Sequence, residues 1–187
     1  LEENLVFLRP LGLRLPPTTA WPSLRADSFS AELMERVQKT RKSGLTFACE
    51  AGTQRLRDVI NKNIREEDVL HACEIAFQGG WNNVKLYFMM GLPTETYEDL
   101  DGISDICKKV AYCWRENTPN RARGVRITAS ASCFVPKPQT PFQWDAQDTL
   151  ETFREKQAHL KVVMKTKNVT YNWHDAASQV GGQAVLG

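Results

Sequence analysis

Four stretches of the chain alternate apolar and polar residues with period two, the signature of a strand with two different faces. In "LTFACE", Leu45, Phe47 and Cys49 oppose Thr46, Ala48 and Glu50. In "NVKLYFMM", Val84, Leu86, Phe88 and Met90 oppose Lys85, Tyr87 and Met89. In "GVRITASASCF", Val125, Ile127, Ala129, Ala131 and Cys133 oppose Arg126, Thr128, Ser130 and Ser132. In "NVTYNWHD", Val169, Tyr171 and Trp173 oppose Asn168, Thr170, Asn172 and His174. Helical patterns fill the gaps. Ser30 is placed to cap a helix over Ala31 to Lys42 that ends at Gly44. Arg55 to Lys62 leads into Glu66 to Gln78, which has an acidic first turn and stops at Gly79-Gly80. Thr96 with Asp99 predicts a capping box for a helix over Tyr97 to Glu116, and Asp145 is expected to cap Ala146 to Lys165.

Strands that alternate with long helices require crossover connections, and hence a parallel sheet. Buried parallel strands are normally apolar on both faces. Here one face is polar in all four. An edge strand facing water accounts for one such strand, not four. The expected fold is therefore α/β: a partial, half TIM-like barrel of parallel strands with outer helices, whose polar concave side holds a ligand.

Composition narrows the class without naming a chemistry. The 187 residues are 42% hydrophobic, enough for a sizeable core. A net charge of +2 points to neither nucleic acid nor an anionic membrane, and no apolar run reaches the length of a membrane span. The five cysteines are scattered, with no CxxC pair, which predicts reduced thiols in a cytoplasmic protein. Residues 1–22 are poorly patterned and lack a signal-peptide layout. Residues 23–167 carry the half barrel, and 168–187 a last strand and a tail that reads as a cut.

Ligands of such sheets bind at the carboxyl ends of the strands. Glu50 ends the first stretch, in "CEAGTQ", where a carboxylate can accept paired hydroxyls such as those of a ribose. A helix-start carboxylate reads the same way. The second stretch ends in "GLPTET": Gly91 bares the backbone, Pro93 fixes the turn, and Glu95 nears the next helix. The third runs into "FVPKPQTPFQW", a stiff proline-ordered loop. Phe134, Phe142 and Trp144 there either pack on a ligand or staple the loop down.

In order and spacing, these pieces resemble the radical S-adenosylmethionine (radical SAM) enzymes. Glu50-Ala51-Gly52-Thr53 is similar to the end of that family's fourth strand, and Gly91-Leu92-Pro93-Thr94-Glu95-Thr96 to the end of its fifth. The tail after Phe134 resembles an Fe-S oxidoreductase branch related to cobalamin-dependent members. The resemblance implies strands three to six of the barrel plus a C-terminal strand. It also implies a cofactor site in which Glu50 takes the ribose hydroxyls, adenine lies on the backbone of Gly91, Leu92 and Pro93, and Ser130 or Ser132 lines the same cavity. Arg25, Lys85, Tyr87 and Arg126 are then expected to face substrate, while His174 has a structural role. The full-length family chemistry uses S-adenosylmethionine and a 4Fe-4S cluster. The family's Cys-x-x-x-Cys-x-x-Cys motif is absent from this sequence, so no metal ligand is assigned, no cluster is expected on the chain alone, and S-adenosylmethionine is expected to bind it weakly at best.

Three functions follow from these residues. The first is a fragment of a radical SAM Fe-S oxidoreductase whose partner is the missing half of the barrel. The second is a non-catalytic binding or scaffold module with a half-barrel fold. The third is a hydrolase or lyase using Glu50 with Glu95, or a Schiff-base lysine at Lys85 or Lys137. A half barrel also exposes a sheet edge, so either self-association or the N-terminal segment folding over that edge is expected.

Overall fold

A computed structural model describes residues 44–173 together with 176 and 177. The expectations for Arg25, for the helix over Ala31 to Lys42 and for His174 lie outside the described residues. The described chain runs β1 (Leu45–Glu50), α1 (Gln54–Val59), α2 (Glu66–Gln78), β2 (Asn83–Met90), α3 (Tyr97–Asn117), a 3-10 turn (Arg121–Arg123), β3 (Arg126–Cys133), α4 (Leu150–Val163) and β4 (Val169–Trp173). The strands form one sheet in the order β1-β2-β3-β4, with every neighbouring pair parallel.

One face of this sheet builds the core. Phe47, Leu86, Phe88, Ile127 and Ala129 are fully or almost fully buried on it. The apolar stripes of the helices meet them there: Val69, Cys73 and Phe77 of α2, Ile103, Cys107 and Val110 of α3, and Phe153 and Leu160 of α4. One cluster thus holds residues of all three long helices and of a single sheet face. Among the described residues the long helices pack on one side of the sheet, the arrangement of a curved barrel wall rather than of a doubly wound sheet.

The helix boundaries follow local chemistry. Glu66, Glu67 and Asp68 occupy the first turn of α2, and Gly79 caps its end. The Thr96–Asp99 capping box opens α3. The start of α4 differs from expectation. It is Leu150, not Ala146, and the cap is Thr149, whose hydroxyl accepts the Thr152 N–H at 3.2 Å. Asp145 is held in the preceding turn, its N–H bonded to the Phe142 carbonyl at 3.1 Å. The intervening residues let Asp148 reach Lys156 at 2.7 Å.

The other sheet face carries the polar residues in register. Thr46, Lys85, Thr128 and Thr170 are partners across all four strands, and so, one step toward the strand ends, are Ala48, Tyr87, Ser130 and Asn172. Glu50 departs from the expected pleat. The register shifts between Ala48 and Glu50, Glu50 pairs with Phe88, and its φ is +66°. It therefore leaves the row that strict alternation predicts.

Candidate functional site

The polar face encloses a hollow of about 320 Å³ lined by Lys85, Ser130, Asn172 and Trp173. Lys85 Nζ donates to the Tyr87 hydroxyl at 2.7 Å and lies 4.4 Å from the centre of that ring. Its ammonium thus folds along β2 toward the strand ends. Ser130 is 3% exposed, although it stands on the face expected to be wet. A larger groove of about 700 Å³ separates α2 from α3. It lies on the helix side of the layer, away from every strand end.

At the exit of β1, Glu50 Oε1 sits 3.1 Å from Lys62 Nζ, with the carboxylate side chain 20% exposed. The next residues are fixed from below. Arg57 is fully buried and donates to the Ala51 carbonyl at 2.7 Å. Burial pulls its guanidinium below the ordinary arginine range, against the opposing influence of Cys49, Glu66 and Asp58. Gly52 has a plain steric reason. A Cβ there would stand 2.1 Å from the Asp99 carbonyl oxygen and 2.5 Å from the Ile103 nitrogen, so the strand exit packs backbone to backbone on α3. The same contact explains Gly102 inside α3, whose own Cβ would meet the Gly52 carbonyl oxygen at 2.6 Å.

Asp99 joins this exit to the next one. Its carboxylate accepts from Thr53 Oγ1, Arg55 Nη2, the Thr96 N–H at 2.8 Å and the Thr96 hydroxyl at 2.9 Å. Burial alone would raise its carboxyl. The donors from Thr53, Arg55 and Thr96 outweigh burial and hold it below the usual aspartate value. Arg55 also donates to the Thr94 carbonyl at 2.9 Å. That matters because Thr94 has a φ of +66°, a costly conformation for a β-branched residue. With Pro93 before it and the Glu95 N–H bonded to the Leu92 carbonyl at 3.0 Å, this is a type II-like turn held by the neighbouring loop.

At the exit of β2, Gly91 has a φ of +78°, and a Cβ there would lie 2.4 Å from the Phe153 ring. The bare backbone therefore admits an aromatic side chain of α4. Glu95 turns back beneath the loop, with its side chain 1% exposed. It accepts the Gly91 N–H at 2.7 Å and the Lys156 ammonium at 2.8 Å. Lys156 also reaches Asp148 at 2.7 Å. Burial pushes the Glu95 carboxyl up, against the pull of Lys156 and the Gly91 N–H. Burial would lower the Lys156 ammonium, but the bonds from Asp148 and Glu95 win and raise it. Glu95 and Glu50 thus belong to separate networks and do not form a catalytic carboxylate pair.

A second, small apolar cluster closes the three strand exits: Ala51 after β1, Leu92 after β2, Phe134 after β3, and Leu56 of α1. Ile60, Met89 and Phe142 pack against it. Leu92 is 3% exposed, so its side chain is packing, and only its backbone is left for a ligand. Phe134 and Phe142 meet edge to face at 6.3 Å, which staples the proline loop to the rim, while Trp144 is 90% exposed. Ser132 is half-buried and donates to the Phe88 carbonyl at 3.4 Å.

Lys85, Ser130 and Asn172 line one hollow, Tyr87 joins it only through its bond to Lys85, and Glu50 and Gly91-Leu92-Pro93 follow at the exits of β1 and β2. Arg126 is not gathered with them. It opens β3 at the opposite end of the sheet and is exposed. Asn172, Arg55, Arg57 and Lys156 were not singled out from sequence, and Asp99 was read only as a helix cap with Thr96, not as the join between two loops. Lys156 did leave a signal, because it falls on the buried face of α4 between the apolar residues Phe153 and Leu160. Gly102 inside a long helix was a second such signal.

The donor set does not fit an iron–sulfur cluster. Among the described residues no group of three or more His, Cys, Asp and Glu side chains can hold a metal ion. Burial pushes the Cys49, Cys73 and Cys107 thiols up, that of Cys107 to about 12, which disfavours the thiolate that ligation needs. No disulfide joins the five cysteines. No helix among the described residues is long and apolar enough to cross a membrane.

A parallel α/β wall with motif-bearing strand exits defines a partial-barrel protein, and comparison gives it a family. The Radical SAM superfamily profile matches residues 14–107, half of the chain, and the chain belongs to that superfamily. An uncharacterized protein of Methanocaldococcus jannaschii is 34% identical over 180 residues, covering 96% of this chain and 36% of that protein. The chain thus spans little more than a third of the length of this curated relative.

Proposed function

We propose that the chain forms the later half of a radical SAM barrel, contributing one wall of the cofactor and substrate cavity of an Fe-S oxidoreductase. The observation that carries this is the pair of strand exits, Glu50 and Gly91-Leu92-Pro93, locked side by side through Asp99 above a shared polar face. In this reading the Glu50 carboxylate accepts the ribose hydroxyls of S-adenosylmethionine, for which it must exchange Lys62. Adenine rests on the backbone of residues 91–93, with Ser130 and Ser132 lining the same side. In radical SAM enzymes the bound cofactor supplies a deoxyadenosyl radical that abstracts hydrogen from substrate. These residues orient the nucleoside and exclude water; cluster ligation falls to the partner half of the barrel, since none of the five cysteines of this chain has the ligand spacing. The absence of the three-cysteine motif and the relative's greater length support a partner half that completes the sheet beside β1. The proline-ordered tail after Phe134 supports the branch related to cobalamin-dependent members, and reduced thiols support a reducing cytoplasmic setting.

Anaerobic calorimetry with S-adenosylmethionine, run with and without iron and sulfide, tests this. Weak saturable binding that Glu50→Gln reduces, with no iron–sulfur absorbance, is expected. Binding indifferent to Glu50→Gln, or assembly of a cluster on this chain, overturns it. A second reading, a non-catalytic half-barrel module, is favoured by one observation: the rim groups Glu50 and the Gly91 N–H already have partners within the chain. Complete absence of binding would select it.

A further inference from the structure

Resting on the reading of the concave face as the substrate side, we propose that the hollow at Lys85 is an anion subsite. It holds the carboxylate or phosphate group of the small molecule whose other end lies at the strand exits. The first reason is charge. Lys85 is half-buried in the middle of the sheet, and among the described residues no carboxylate pairs with it or with Arg126, the other cation on this face. The carboxylate nearest by pattern, Glu50, is engaged by Lys62. A neutral or cationic ligand would leave the ammonium half-desolvated and uncompensated, whereas an oxyanion gains a charge-assisted hydrogen bond.

Geometry is the second reason. One N–H of the ammonium is spent on the Tyr87 hydroxyl at 2.7 Å, and two remain. The bond folds the side chain toward the row of Tyr87, Ser130 and Asn172, and Lys85 lines the hollow together with Ser130, a hydroxyl residue, and Asn172, an amide residue. The volume, about 320 Å³, suits a small ligand. Lys85 lies six residues before Gly91 on β2, roughly 20 Å along a strand. The anionic end therefore sits deep, and the remainder of the ligand points up to the rim.

The test uses the whole 187-residue chain with amide-resolved NMR titration by inorganic phosphate, by succinate, and by tetramethylammonium as the cationic control. Saturable shifts at Ser130 and Asn172 are expected with an anion and not with the cation. Response to phosphate alone assigns a phosphate ligand, response to succinate alone a carboxylate, and either sustains the subsite. Lys85→Met should weaken binding by roughly tenfold or more, as for loss of a charged hydrogen-bond partner, while Lys85→Arg retains it. Lys108→Met, which removes an exposed cation of α3 paired with Asp105 at 2.9 Å, should leave it unchanged. No saturable shift, equal affinity in Lys85→Met, or preference for the cation overturns the proposal. Binding of S-adenosylmethionine is read separately at the Gly91 and Glu95 amides, so the cofactor reading and the subsite fail independently.

Discussion

Replacing Lys156 by Met removes the ammonium while keeping an unbranched apolar stem of similar length. The variant leaves Glu95, 1% exposed, with only the Gly91 N–H as a partner, and returns Asp148, 28% exposed, to solvent. Breaking a fully buried ion pair from one side costs about 3–5 kcal/mol. The surviving hydrogen bond and the partial exposure of Asp148 place this case near the lower end, about 3 kcal/mol. For a chain of this size that is roughly 6–12 °C in Tm. The cost should depend on pH with a definite sign. The Glu95 carboxyl is raised by burial even with Lys156 present. Between the ordinary glutamate value and its folded value, the folded state binds more protons than the unfolded one. Stability therefore falls as pH rises through that window. Without Lys156 the window extends upward, so the gap between the proteins should widen as pH rises above the ordinary glutamate value. Urea unfolding at several pH values measures it. Glu95→Gln combined with Lys156→Met should cost less than the sum of the single changes. A gap below about 1 kcal/mol at neutral pH, or one that is flat across the range, refutes the coupling.

Four further outcomes are expected. Gly52→Ala forces a Cβ into the backbone of α3, and should cost about 3 kcal/mol or more or abolish soluble expression, read by chemical denaturation. Asp99→Asn should weaken the join between the loops, and it should flatten the acid limb of stability. The lowered Asp99 carboxyl contributes stability that is present above the ordinary aspartate value and lost as pH falls through its folded value. Tyr171→Phe should be neutral or stabilising by up to about 1 kcal/mol in the same denaturation assay, because the buried hydroxyl has no partner among the described residues. Native-state alkylation followed by mass spectrometry should find Cys113, half-buried, modified first, with Cys49, Cys73 and Cys107 protected until unfolding.

Legibility from sequence tracked how local the determining contact was. Helix α2 was readable to the residue, because its acidic first turn and its Gly-Gly stop lie within it. The polar face was readable because alternation survives intact in β2 and β3. The start of α4 was misplaced because two acids precede it and the choice is made by Lys156, eight residues beyond Asp148. The pleat break at Glu50 left no mark in composition, since its pairing with Phe88 is set by a neighbouring strand. Gly91 was read as making room for a ligand, and its Cβ position faces the Phe153 ring, a contact between residues 62 positions apart. The bond from Lys156 to Glu95 spans 61 positions, and Arg55 to Asp99 spans 44. Long-range polar pairing of this kind has no periodicity to betray it.

The single carboxylate of Asp99 serves both the helix cap of one loop and the turn of its neighbour. The two exits are consequently one inheritable unit. A designer who moves the Glu-Ala-Gly-Thr corner into another scaffold must carry the first turn of α3 with it, Gly102 included, or the transplanted corner will have nothing flat enough to rest upon.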